Sequence, residues 1–227
     1  MRWWIVFVYA LAMAWVEAAV VVYLRTLVNR LEPYQPNPLP IMGRMSEIEL
    51  VREAATMVML AAVGMLGGRT WRSRVGYSAI AFGVWDIFYY VFLKIMCGWP
   101  HSVFDWDVLF LIPLPWWGPV LAPVLISVLL ILWGTFAGQC ERVPASIRPE
   151  LVASATGFIG MVLGLHTFMA DSMAVASQGA EAIRNALPKT FNWPLFCVAL
   201  LLMAVPVLQR LWFSLSQPRG PAEASLP

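Results

Sequence analysis

Along this chain, long apolar runs alternate with short polar or proline-rich segments. A bilayer core about 30 Å thick needs roughly 20 apolar residues in a helix. Six runs meet that length: residues 3–24, 49–68, 76–97, 116–138, 151–173 and 193–213. The pattern predicts an all-α, polytopic transmembrane bundle of six helices, one domain over residues 1–213, followed by a disordered cytoplasmic tail over 214–227. The first run contains the triplets Ala10–Ala12 and Ala12–Ala14, which resemble a signal-peptide cleavage site. It continues past Glu17 to Leu24, however, longer than the 7–15 residues of a signal h-region, so it is read as an uncleaved helix.

The segments between the runs carry their own signals. Prolines at 33, 36, 38 and 40 exclude a helix through the first loop. Ser46 with Glu49 three residues on has the spacing of a capping box, which gives Glu47 and Glu49 a structural role at a helix start. Arg69, Arg72 and Arg74 crowd a short connection. Residues 98–115 are rich in aromatic residues and proline and predict an interfacial or re-entrant segment between the third and fourth helices, with Pro100 opening a short interfacial helix. Trp99, Trp106, Trp116 and Trp117 then read as an aromatic belt at the headgroup level. Arg142 and Arg148 mark the next connection, Pro149 suits the first turn of the fifth span, Asn192 suits the cap of the sixth, and Pro206 predicts a kink there.

Composition agrees with the run pattern. The 227 residues are 60% hydrophobic and 12% charged, with mean hydropathy +0.72, against about 25% charged in soluble domains. The bilayer is thus the first partner. A net charge of +2 without a basic patch excludes nucleic acid. The three cysteines lie far apart, with no CxxC pair. Arginines concentrate on the segments that share a side with the termini, and 98–115 has none, so the positive-inside rule places both termini in the cytoplasm of a cell (inner or plasma) membrane.

With that orientation the ionisable residues fall in one half of the bilayer. Glu17, Arg52, Glu53, Asp86, Tyr90, Lys94 and Asp171 all lie toward the outer face. Each charge inside a span costs roughly 2.5–3.5 kcal/mol on insertion scales, so these side chains are expected to face one another across a polar chamber. Asp86, Tyr90 and Lys94 are spaced by four and define one stripe. Glu17, Val21 and Arg25 share a face, and Arg52 is the natural partner of Glu17 if the first two helices pack antiparallel. Gly76, Ala79 and Gly83, and likewise Gly157, Gly160 and Gly164, form small-residue seams for helix contact. His101 and Asp105, with His166 and a carboxylate such as Glu17 or Glu53, make a candidate two-His, carboxylate metal set. No HExxH, ExxH, nucleophile–base pair or phosphate loop supports a specific chemistry, and no cofactor is assigned.

Three function classes follow, in this order. The first is a non-catalytic subunit or scaffold of a larger membrane complex, with other membrane subunits as partners. The second is a membrane-embedded enzyme, metal-dependent if the histidines ligate, acting on a lipid or quinone-like substrate from the outer leaflet. The third is a proton-coupled transporter using Glu17, Asp86 and Lys94. A working chamber makes Asp86→Asn and Glu17→Gln more damaging than Glu49→Gln.

Overall fold

A computed structural model describes residues 1–36, 39, 43–139 and 147–216. Six long helices follow the chain: α1 (Arg2–Leu27), α2 (Arg44–Gly67), α3 (Trp71–Cys97), α4 (Leu121–Gln139), α5 (Ile147–Val175) and α7 (Trp193–Ser216), with a short α6 (Ala180–Asn185) before the last. Five of them, α1, α2, α3, α5 and α7, are long and apolar enough to cross a membrane, while α4 has a shorter apolar stretch, Leu121–Ala137. This is the pattern of a multi-pass membrane protein. Side chains such as Trp4, Val8, Trp15, Leu201 and Leu208 stand exposed along α1 and α7, as expected for surfaces whose solvent is lipid.

The expectation of an all-α fold needs one correction. Between α3 and α4 the chain forms an antiparallel hairpin, β1 (Trp106–Phe110) with β2 (Trp116–Pro119), Asp107 opposite Gly118 and Val108 opposite Trp117. Residues 116–119, expected inside the fourth span, pair as a strand instead, so α4 begins only at Leu121. An isolated two-stranded hairpin is marginal. This one is held by Phe110 against Trp116 at 5.0 Å, by Tyr34 stacked on Trp106 at 5.8 Å, and by the Leu121 amide bonded to the Val103 carbonyl at 2.7 Å. No helix starts at Pro100: the Asp105 carboxylate accepts the His101 and Ser102 amides at 2.7 and 3.1 Å and closes a turn there.

Other boundaries also move. α2 starts at Arg44 after Gly43, whose φ of 62° turns the backbone, and the Ser46 amide already bonds the Gly43 carbonyl. Ser46 is therefore inside the helix and caps nothing; a glycine at positive φ did the work expected of it. α3 starts five residues before the expected Gly76, because Thr70 and Ser73 form a reciprocal capping box. Asn192 does cap α7, accepting the Leu195 amide at 3.1 Å. The helix α7 runs to Ser216, so residues 214–216, expected in the tail, are helical. The rest of the tail, 217–227, and Arg142 lie outside the described residues.

The small-residue seams explain the packing order. α1 lays Ala10, Ala14 and Ala18 along α3, and all three are fully buried. A methyl group on Gly83 would sit 2.6 Å from the Ser127 carbonyl of α4, and one on Gly134 would sit 2.3 Å from the Gly76 carbonyl of α3. α5 meets α7 in the same way, with Gly160 against the Ala199 carbonyl and Gly157 against Pro206. α1 and α2 both pack on α3 and touch each other far less. That leaves a cleft between α1 and α2 at the end where the hairpin lies.

At the opposite end, Glu150 on α5 ties three helices together. Its carboxylate pairs with Arg72 of α3, and with Arg210 of α7 at 2.7 Å.

Candidate functional site

The cleft between α1 and α2 is a cavity of about 330 Å³, floored by α3 and roofed by the hairpin. Its position follows from the termini of three helices. The last turns of α1, the first turns of α2 and the C-terminal half of α3 converge there, and each contributes ionisable groups. Among its lining residues are the acids Glu17, Glu32, Glu49, Glu53, Asp86 and Asp107 and the arginines Arg25, Arg30, Arg52 and Arg184. Val21, Leu24, Leu50, Met57 and Leu109 supply apolar walls, and Trp85, Tyr89, Tyr90 and Phe110 an aromatic one.

Arg52 is the central cation. Its Nη1 donates to both Glu17 oxygens at 2.6 Å, while Nε and Nη2 donate to Glu49 at 2.9 and 2.5 Å. Thr56, one turn further along α2, adds a hydroxyl to Glu17 at 3.2 Å. This bonds α1 to α2 across their cleft, and the planar guanidinium fork allows one cation to serve two carboxylates. The face of α2 that carries these residues repeats at three and four: Glu49, Arg52, Glu53, Thr56. Glu49 thus belongs to the chamber, and the capping role read for it from the sequence is replaced by an ion pair.

The second cation comes from the end of α1. Arg25 Nη2 donates to Asp107 Oδ1 of β1 at 3.0 Å, and its guanidinium lies 4.3 Å over the Trp99 ring. Asp107 is 1% exposed. Its Oδ2 takes no hydrogen bond of ordinary geometry, although the Tyr90 hydroxyl is close enough to help hold its charge. Burial pushes the Asp107 carboxyl up from the usual carboxylate range to about 6, with Arg25 opposing the rise.

Two further acids have polar partners but no cation bonded to them among the described residues. Glu53 accepts the Leu111 amide through both oxygens, at 2.9 and 3.1 Å. That amide lies just beyond the end of β1, where the ladder offers no acceptor, so Glu53 satisfies a backbone donor. Asp86, 6% exposed on α3, accepts the Ser127 hydroxyl of α4 at 2.8 Å, its one hydrogen bond among the described residues. The Trp85 indole N–H beside it is buried and unpartnered.

The residues predicted from the sequence therefore divide. Glu17, Arg52, Glu53, Asp86 and Tyr90 line one chamber. Lys94 does not join them. It is exposed, and its ammonium donates to the Gly98 carbonyl at 2.9 Å, closing the C-terminus of α3. Eight residues beyond Asp86, an ideal helix has turned about 80° away, which takes Lys94 off the chamber face. Asp171 stands half-buried on α5 and does not line the cavity; its neighbour Ser172 is the buried one, donating to the Pro115 carbonyl at 2.7 Å. His101 lies in the exposed turn before β1, 3.9 Å from Glu32 and 3.8 Å from Asp105, and His166 is exposed on α5. Among the described residues no three His, Cys, Asp or Glu side chains are grouped to hold a metal.

Sequence reasoning missed Arg25 and Asp107 as a pair, along with Tyr89, Trp85 and Glu49. The spacing of Glu49 from Arg52 was an available signal for one of them. Trp99 and Trp117 were read as a headgroup belt, yet both are buried, Trp99 beneath Arg25 and Trp117 within the hairpin.

No protein-family model, no curated protein and no solved structure matches this chain.

Proposed function

We propose that this is a six-span membrane protein, with both termini cytoplasmic, that takes the polar end of an amphiphilic, lipid- or quinone-like molecule into its charged chamber as a binding partner or substrate. The observation that carries this reading is the chamber itself. It is of ligand size, since small-molecule sites run from about 300 to 1,000 Å³, and it joins apolar walls to charged and hydrogen-bonding groups. It lies between α1 and α2, which pack on α3 far more than on each other, and a molecule with an apolar body would enter from the bilayer between those two helices. In a membrane such groups are costly to keep, and retaining them around a cavity suits an occupant better than it suits a solid core.

The same geometry weakens the subunit reading. That reading drew on the small size of the chain, the absence of a catalytic motif and the glycine seams, and the seams are used inside the chain: α3 on α4, and α5 on α7. Acid–base chemistry on the bound molecule is within reach of Asp86 and Glu53, cavity-lining carboxylates with no cation bonded to them among the described residues.

The test is native mass spectrometry of the full chain extracted in mild detergent. A stoichiometric co-purifying amphiphile is expected, and it is lost in Leu50→Trp and Val21→Trp, which fill the cavity from α2 and α1. A wild-type chain with no bound mass, indistinguishable from those variants when lipid is restored, would sink the proposal.

A further inference from the structure

We infer that the polar end accepted by this chamber is a primary ammonium group, seated between the Asp86 and Asp107 carboxylates against the Trp85, Tyr89 and Phe110 rings. The inference rests on the amphiphile reading above and specifies its headgroup.

Six acids and four arginines line the cavity, two more acidic groups than cationic ones. Arg52 is already bonded to Glu17 and Glu49, and Arg25 to Asp107 and to the Leu31 carbonyl at 3.2 Å. Arg30 donates to the Pro36 carbonyl at 2.9 Å, and Arg184 has interactions of its own. An anionic headgroup would therefore meet cations already engaged and carboxylates in excess. A cationic one meets the reverse.

The seat follows from the unfilled positions. Asp86 has a hydroxyl partner and no cation. Asp107 is nine-tenths buried and beyond, lines the cavity, and leaves one oxygen without a hydrogen bond of ordinary geometry. The two carboxylates line the same cavity, and among the described residues Arg25 is the one cation bonded to either. Beside them Trp85 lies nearly parallel to Tyr89, at 6.2 Å and 21°, and 6.2 Å from Phe110. Carboxylates beside aromatic faces are the chemistry that receives organic cations. A primary ammonium brings the Asp107 oxygen both a positive charge and an N–H to accept, whereas a quaternary ammonium brings the charge without a donor and an alcohol the donor without the charge.

The experiment titrates decylammonium, 1-decanol and decyl sulfate at pH 7, below their aggregation limits, into the full chain in lipid nanodiscs. Heats from empty nanodiscs are subtracted. We expect saturable binding of one decylammonium per chain, at least tenfold tighter than decanol. Asp86→Asn should weaken decylammonium at least fivefold and leave decanol unchanged, while Lys94→Met, outside the chamber, changes neither. Equal affinity for decanol, abolished by Leu50→Trp, overturns the ammonium assignment and leaves an amphiphile chamber standing. Tighter decyl sulfate also overturns the assignment. No saturable binding of any of the three overturns both readings. If Asp86→Asn does not fold, Asp86→Glu, which keeps the charge, must retain at least half of the ammonium preference.

Discussion

Removing Arg52 should destabilise the protein far more than removing either carboxylate it holds. Arg52 bonds Glu17 from one nitrogen and Glu49 from two others. In Arg52→Leu, both acids lose their bonded cation at once. Glu17 and Glu49 side chains are 10% and 13% exposed, and Arg52 itself 24%. Stripping one partner from a fully buried pair costs about 3–5 kcal/mol. The exposure of Arg52 to a polar chamber reduces that, and we expect roughly 2–3 kcal/mol for Arg52→Leu. Glu17→Leu should cost only about 1 kcal/mol, because Arg52 keeps Glu49 and loses a charge-assisted bond that hydration partly replaces. In Arg52→Leu/Glu17→Leu no carboxylate remains on α1, so the double variant should be more stable than Arg52→Leu alone. The coupling between the two positions then opposes simple addition by at least 1 kcal/mol. The assay is reversible unfolding of the full chain in mixed micelles, followed by tryptophan fluorescence with the wild type and three variants on one cycle. An Arg52→Leu cost within about 0.5 kcal/mol of Glu17→Leu, or a double variant no better than Arg52→Leu, would refute the reasoning that one cation serves two acids.

Further outcomes follow from other contacts. Gly134→Ala puts a methyl 2.3 Å from the Gly76 carbonyl, where neither helix backbone can yield, and should cost about 3 kcal/mol as overpacking; Gly164→Ala, with its nearest atom at 3.8 Å, should be neutral or slightly stabilising in the same melting experiment. Asp107 has a carboxyl raised to about 6, so it binds its proton more tightly folded than unfolded. Its stabilising contribution is full below about pH 4 and is lost as pH rises through about 6, on the order of 2–3 kcal/mol by linkage. Melting temperatures between pH 4 and 7 should therefore fall less steeply in Asp107→Asn than in wild type, and parallel profiles would contradict the buried assignment. Glu150→Gln should weaken the join of α3, α5 and α7 through Arg72 and Arg210, lowering the melting temperature without changing which amphiphile co-purifies.

The sequence alone determined the class of molecule and most of the helix positions. Apolar runs of bilayer length are a local property, fixed by the cost of unsatisfied backbone in lipid, and the runs from residue 3 and from residue 193 were read close to their observed extents. The glycine seams were legible for the same reason: small residues at helical spacing can only mean close backbone approach. So was the pairing of Glu17 with Arg52, because two charges on adjacent antiparallel helices have few other partners. What the tertiary structure decided is how the segment between α3 and α4 folds back. Nothing local in WDVLF announces that it will pair with WWGP and carry Asp107 over the end of α1 to meet Arg25. Nor does spacing reveal that Glu53 will accept a backbone amide from that hairpin. A strand pair forms only when both strands and their support are present, and here the support comes from Tyr34 and Phe191, far away in the chain. The charges of the chamber were visible along the sequence. Which carboxylates pair with an arginine and which accept neutral donors depends largely on contacts between residues tens of positions apart, Glu17 with Arg52, Arg25 with Asp107, Glu53 with Leu111 and Asp86 with Ser127.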